Sequence, residues 1–243
     1  MATPDSPARE AAASCAISVD GVTRRFGRRW ALRGVSLDVP TGMVLGIEGH
    51  NGSGKSTLLR IIATSLRATH GNVRVFGRDV RREPEWVRSV IALMSFNPGL
   101  YDDLTAFENL AFAANMLGRD HQGIDAILER VGLLGERDER VRTFSSGMQR
   151  RLALGRLLLQ SPRVLLLDEP YNSFDRAGVA LVNDVVRDVV ATQGGAAVIV
   201  LHDRQSAMGL LDRVVTMHQG RLAVDPPRAA ESSGIALASG ALG

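Results

Sequence analysis

The chain has 243 residues, 45% of them hydrophobic and 23% charged, a balance that supports a packed globular core and excludes a disordered or fibrous polypeptide. Its 29 basic and 26 acidic residues leave a net charge of +3, too small for an electrostatic footprint on nucleic acid, so no nucleic-acid partner is expected. The one cysteine, Cys15, excludes an intrachain disulfide framework, and no apolar run approaches the roughly 18 residues of a membrane-spanning helix.

Residues 1–15 are small, polar and proline-containing, with no apolar leader, and residues 226–243 are rich in Ala, Gly and Ser. Both read as flexible tails around a domain at 16–225. Within that domain, 16–19, 35–39 and 44–47 run apolar like short strands. A helix is expected over 56–66, strands over 73–76 and 90–94, and helices over 106–116 and 124–131. With the helix expected over 147–159, these give a helical subdomain at about 95–160. A strand at 164–167, a helix at 179–190 and a strand at 197–201 follow. A last strand at 214–217 is turned by Gln219-Gly220. Alternation of this kind implies a largely parallel, doubly wound α/β sheet.

The strand at 44–47 runs into Gly49-His50-Asn51-Gly52-Ser53-Gly54-Lys55-Ser56-Thr57 and then an apolar-periodic helix. This fits G-x-x-x-x-G-K-[ST] in the strand–loop–helix setting that a phosphate-binding loop requires. Glycines let successive backbone N–H groups turn inward around phosphate oxygens, and the helix adds unsatisfied N–H groups and the positive end of its dipole. Lys55, the single lysine of the chain, is placed to bridge the β- and γ-phosphates, and the Ser56 hydroxyl to hold Mg²⁺. A second apolar strand, Val164-Leu165-Leu166-Leu167, delivers Asp168-Glu169-Pro170 to the carboxyl edge of the sheet, where ligands of open α/β folds bind. Asp168 suits the metal, and Glu169 suits polarising the water that attacks the γ-phosphate.

Between these motifs lies Phe144-Ser145-Ser146-Gly147-Met148-Gln149. Taken alone, Ser145 is a good N-cap and 147–159 a basic amphipathic helix. Taken in order with the other two motifs, it makes the chain resemble the ATP-binding-cassette family, whose signature reads Leu-Ser-Gly-Gly-Gln. Ser145 and Gly147 agree with that pattern, whereas Phe144, Ser146 and Met148 depart from it. The resemblance spans nearly all of 16–225. It implies a P-loop NTPase fold with a mostly parallel core sheet, an N-terminal antiparallel β part and a helical subdomain.

It also implies roles for particular residues. Ser145, Ser146, Gly147 and Met148 would meet ATP held by an opposite subunit. Phe26 falls where the family stacks an aromatic ring on adenine. Asn172-Ser173-Phe174-Asp175 matches the D-loop, with Asp175 at its end, and His202 matches the histidine that senses the γ-phosphate. One position departs. The family carries a glutamine after the strand at 90–94, where this chain has Ser95-Phe96-Asn97-Pro98, so Phe96 takes its place and the neighbouring Asn97 offers a shorter amide to the metal or its water.

The function so implied is that of an ATPase using ATP and Mg²⁺ and closing as a homodimer or heterodimer around two nucleotides. It would sit on the cytoplasmic face of the cell membrane through a separately encoded integral-membrane permease. The Ser145-to-Met148 signature and the Pro98-to-Thr105 loop are similar to those of exporter-type cassettes, haem exporters of cytochrome c maturation among them. A soluble ATPase of an assembly complex, as in iron–sulfur cluster biogenesis, shares the same motifs. The missing glutamine also leaves room for a nucleotide switch that hydrolyses poorly.

Overall fold

The computed structural model describes residues 15–95, 97, 99–192, 194–202 and 205–224. The expected tails lie outside these residues except for Cys15, which opens the first strand opposite Pro40.

Two twelve-residue strands, β1 (Cys15–Phe26) and β2 (Arg29–Pro40), form an antiparallel hairpin. Both are far longer than the apolar runs within them, because the backbone ladder continues through Arg24, Arg25 and Arg33, whose side chains need no burial. The remaining strands are β3 (Val44–Glu48), β4 (His70–Val75), β5 (Arg78–Asp79), β6 (Ile91–Met94), β7 (Val164–Asp168), β8 (Ala196–Val200), β9 (Arg213–His218) and β10 (Arg221–Val224). One sheet has the order β2-β1-β4-β5 and is antiparallel; the other has the order β10-β9-β3-β8-β7-β6. In the second, every pairing from β9 to β6 is parallel, and β10, which the sequence did not suggest, turns back antiparallel on β9. This is the fold class expected.

The helices are α1 (Lys55–Ile62), α2 (Pro84–Val90), α3 (Ala106–Met116), α4 (Ile124–Arg130), α5 (Ser146–Leu158) and α6 (Arg176–Thr192). Helix α1 stops four residues short of the expected end because Thr64 takes a left-handed conformation at φ 62°. Helix α2 was not expected; proline at its first helical position starts it, and it merges directly into β6. Helix α3 starts with a capping box in which Thr105 Oγ1 accepts from Glu108 N at 3.1 Å and Glu108 Oε2 accepts from Thr105 N at 2.8 Å.

Strand alternation divides the parallel sheet between two cores. Val164, Leu166, Val198 and Val200 face α1 and the antiparallel sheet, whereas Leu165, Leu167, Ala197 and Ile199 face α5 and α6. Strands covered on both faces read as continuous apolar runs, which is why β7 and β8 stand out in the sequence. A third cluster joins Leu110 and Ala114 of α3, Ile124 and Leu128 of α4, and Leu152 of α5. Phe144 closes this cluster at 7% exposure, so the aromatic that replaces the family's leucine is a packing residue.

Candidate active site

Adjacent strands β3, β8 and β7 end at the same carboxyl edge, and each passes directly into part of the site. Glu169 N donates to Val200 O at 3.1 Å and Leu201 N to Ile47 O at 3.0 Å, so the three exits are stitched together beyond the strands.

The loop after β3 is shaped by its glycines. Gly49 has φ 142°, and a Cβ there would stand 2.1 Å from Met217 O; Gly54 has φ 115°, and its Cβ would stand 2.6 Å from Ala31 O. The chain threads between the β1–β2 hairpin and β9 where only glycine passes. The loop is also pinned beneath, by Gly220 N donating to Ser53 O at 2.8 Å. At its end α1 begins, and Lys55 Nζ folds back to donate to Gly49 O at 2.6 Å and His50 O at 3.1 Å. Burial pushes the Lys55 ammonium below its ordinary pKa, while Glu169 and Asp168 pull it back up.

A cleft of about 390 Å³ opens over this loop. The loop and helix start line it with Asn51, Gly52, Gly54, Lys55, Ser56 and Thr57; Phe26 and Glu169 complete the expected set. Arg24 lies over the Phe26 ring at 4.4 Å, which leaves the ring 48% exposed. Gly49, His50 and Ser53 do not line the cleft but support it. His50 Nδ1 sits 2.8 Å from Asn51 O, its ring meets His218 edge to face at 5.3 Å, and Ser53 is buried. The sequence did not single out Arg29 or Ala31, which also line the cleft. Arg29 Nη2 stands 3.7 Å from where a side chain on Gly52 would begin, which brings a second cation over the loop.

Asp168 lies at 6% exposure with Oδ1 buried and without a hydrogen-bond partner. Burial raises its pKa, Glu169 raises it further, and hydrogen bonding from Ser56 with the Arg60 and Lys55 charges lowers it. A buried, unpartnered carboxylate oxygen beside a serine hydroxyl suits a hard divalent cation. Among the described residues no three His, Cys, Asp or Glu side chains gather into a metal site, so such an ion would draw its other oxygens from phosphate and water. Glu169 has φ 54°, Oε1 accepts from His202 Nε2 at 2.6 Å, and Oε2 accepts from Asn172 Nδ2 at 2.9 Å.

The signature turn stands apart from this cleft. None of Ser145, Ser146, Gly147 and Met148 lines it. Ser145 caps α5, its Oγ accepting from Met148 N at 3.3 Å. The D-loop backbone lies over Gly147, where a Cβ would meet Ser173 O at 3.2 Å. Asp175 Oδ1 accepts from Gly178 N at 2.7 Å and from Arg151 Nη2 at 3.2 Å, which ties the D-loop to the signature helix. These contacts, the Gly178 amide first, hold the Asp175 carboxyl below its ordinary pKa. Asn97 is not brought to the cleft. Its Oδ1 accepts from Gly99 N at 2.9 Å, and its carbonyl accepts from Ser95 Oγ at 2.7 Å, so its polar groups close their own turn. Phe96 lies outside the described residues.

The P-loop, the paired carboxylates and the parallel sheet that joins them have a counterpart among known proteins. A model of the ABC transporter family matches residues 32–172. The chain belongs to that family. It is therefore an ATP-binding and ATP-hydrolysing subunit of ABC-transporter type. The daunorubicin resistance ATP-binding protein DrrA3 of Streptomyces coeruleorubidus is 39% identical over 216 residues, covering 86% of this chain and 67% of its own. The sulfate/thiosulfate import ATP-binding protein CysA of Escherichia coli is 34% identical over 214 residues, covering 85% of this chain and 58% of its own. This ABC ATPase thus spans about two thirds of the first relative and less of the second. A nucleotide-free ATP-binding cassette from an ABC transporter superposes with a TM-score of 0.75 at 25% identity, over 86% of this chain and 90% of that one.

Proposed function

We propose that this ABC ATPase drives export of a small organic compound through a separate integral-membrane permease, closing and reopening as a dimer around two ATP molecules. The observation that carries the coupling role is an exposed apolar patch on the helical part. Tyr101 and Phe112 meet edge to face at 4.9 Å with 51% and 43% exposure, and Met116, one turn on along α3, is 75% exposed. Such a patch on a soluble surface favours a partner. It is held rigidly: buried Asn109 accepts from Tyr101 N at 2.8 Å and donates to Tyr101 O at 3.0 Å and Thr105 O at 2.9 Å. No helix among the described residues is long and apolar enough to cross a membrane. In this reading the pore is another polypeptide, with this subunit on its cytoplasmic face.

In the catalytic cycle, Phe26 receives the adenine and the P-loop amides receive the phosphates. Lys55 exchanges its two carbonyl partners for the β- and γ-phosphate oxygens. Ser56 and Asp168 would hold Mg²⁺, which when bound would supply positive charge to offset that developing on the transferred phosphoryl group. Glu169 orients and deprotonates the attacking water, while His202, now bonded to Glu169, senses the γ-phosphate. Ser145 to Met148 complete the site of the opposite subunit through the N-terminus of α5. Closure moves a partner because open and closed dimers bind ATP with different affinity.

Of the two relatives named above, the more similar is named for daunorubicin resistance, which supports outward transport of a drug-like compound. The haem cargo suggested by the signature and the 98–105 loop is a narrower case of the same reading, and the permease selects between them. Affinity capture of a Glu169→Gln form with ATP, from detergent-solubilised membranes of its own cells, tests the proposal. The expected result is a multispanning protein in stoichiometric yield, lost when Tyr101 and Phe112 are both changed to serine. Soluble partners alone would make the chain an assembly ATPase.

A further inference from the structure

Both oxygens of the Glu169 carboxylate are held, Oε1 by His202 at 2.6 Å and Oε2 by Asn172 at 2.9 Å. We infer that Asn172 is a positioning residue for hydrolysis, fixing the rotamer of Glu169 from the side opposite His202; the inference rests on the role given to Glu169 above. Packing alone does not orient the Glu169 side chain, which lines an open cleft. Glu169 is one residue beyond the sheet, its backbone is left-handed at φ 54°, and its carboxylate reaches into the open cleft. A single bond to His202 fixes one oxygen and leaves the carboxylate free to swing. A donor on the second oxygen removes that freedom.

Asn172 is itself anchored. Asn172 N donates to Glu169 O at 3.4 Å, closing the turn that carries both side chains. The preceding Tyr171 is partly buried, and its hydroxyl donates to Asn183 Oδ1 at 2.8 Å on α6. Asn183 Nδ2 in turn donates to Ser206 O at 3.3 Å, in the short helix Gln205–Ala207 that follows His202. The two donors that grip Glu169 therefore belong to segments bridged by one hydrogen-bonded chain, so their separation is set. A cavity of about 120 Å³, bounded by Glu169, Tyr171, Asn172, Val200, His202 and Ser206, lies against the clamp and is large enough for water. The clamp does not block the base. Each carboxylate oxygen has two acceptor positions, so one donor on each leaves one on each for a water.

Steady-state hydrolysis and ATP binding by the full chain test this. Asn172→Ala is expected to lower kcat about tenfold, the scale of one bond to a charged group, with ATP affinity within about twofold of wild type. Asn172→Asp, of the same size but without the donor, should lose as much, and Asn172→Gln, which keeps an amide, should recover part of the rate. In a Glu169→Gln background Asn172→Ala should cause no further loss, because no base remains to be oriented. Wild-type kcat in both Asn172→Ala and Asn172→Asp would overturn the inference, as would an equal loss with and without Glu169. If Asn172→Ala does not fold, Asn172→Asp decides alone by the same readings. Normal turnover by Glu169→Gln itself would remove the base assignment and the inference with it, whereas an inactive Glu169→Gln beside fully active Asn172 variants would remove only the inference.

Discussion

The P-loop and the signature turn each place the N-terminus of a helix where an anion can meet it, yet they are built differently. The P-loop is a strained cradle in which Gly49, Gly52 and Gly54 all have positive φ and the backbone passes within van der Waals range of β9 and the hairpin. The signature turn is an ordinary N-cap: Ser145 is extended at φ −63°, and Gly147 lies within the helix without left-handed backbone. A cradle must wrap an anion from several sides, so its backbone fixes its sequence. A helix end that meets its ligand from one side needs only free N–H groups and a small cap. This explains how Ser146 and Met148 replace family residues beside an intact P-loop.

The largest effect that this contrast predicts is at Lys55. Its Nζ now spans two loop carbonyls and has no equivalent at the signature. Lys55→Ala should weaken ATP binding about hundredfold, roughly 3 kcal/mol, in equilibrium titration. An affinity within a factor of two of wild type would mean that the cradle amides alone hold the phosphates.

The second effect sharpens the distinction between the cradle and its metal side. Burial raises the Asp168 pKa above that of the unfolded chain, so the folded state binds the proton more tightly. In nucleotide-free protein this makes Asp168 a source of stability that appears as pH falls through the raised pKa and is complete below the unfolded one. Asp168→Asn mimics the protonated form. Thermal melts at neutral pH should therefore rise by a few degrees, the gain should shrink toward acid pH, and hydrolysis should be lost. A lower melting temperature for Asp168→Asn would show that the carboxylate is compensated in the free protein.

What could be read in the sequence follows the same contrast. Wherever one strand hands directly to one loop and helix, the candidate site was legible, as in Gly49 to Thr57 and in Asp168 with Glu169. The buried strands β7 and β8 were legible because burial on both faces leaves them no polar positions. Arg29 was not, since it reaches the cleft only because the hairpin folds against Gly52, a contact between distant segments. Asn172 was visible as part of the D-loop but not as a partner of Glu169, which depends on the rotamers of both. Asn97 shows the converse: an amide at a suggestive position is drawn to the nearer Gly99 N–H, a local competition that spacing does not reveal. The ends of β1 and β2 and the whole of α2 escaped because pairing and proline capping, rather than apolar periodicity, set them.

The smallest effect tests whether the signature turn acts only across a dimer. The Ser145 cap is exposed and its bond to Met148 N is long at 3.3 Å, so Ser145→Ala should cost the fold only about 0.5 kcal/mol. Because Ser145 does not line the cleft of its own chain, ATP affinity measured on dilute protein should not change, while turnover should fall. Mixing inactive Lys55→Ala with Ser145→Ala then separates action in cis from action in trans. In a mixed homodimer, the intact P-loop of the Ser145→Ala subunit faces the intact signature of the Lys55→Ala subunit, so one complete site forms and turnover rises above the sum of the separate proteins. If the two variants only add, the signature serves the cleft of its own chain, and the 3.2 Å approach of Ser173 O to Gly147 would then mark a route by which the D-loop carries that influence within one subunit.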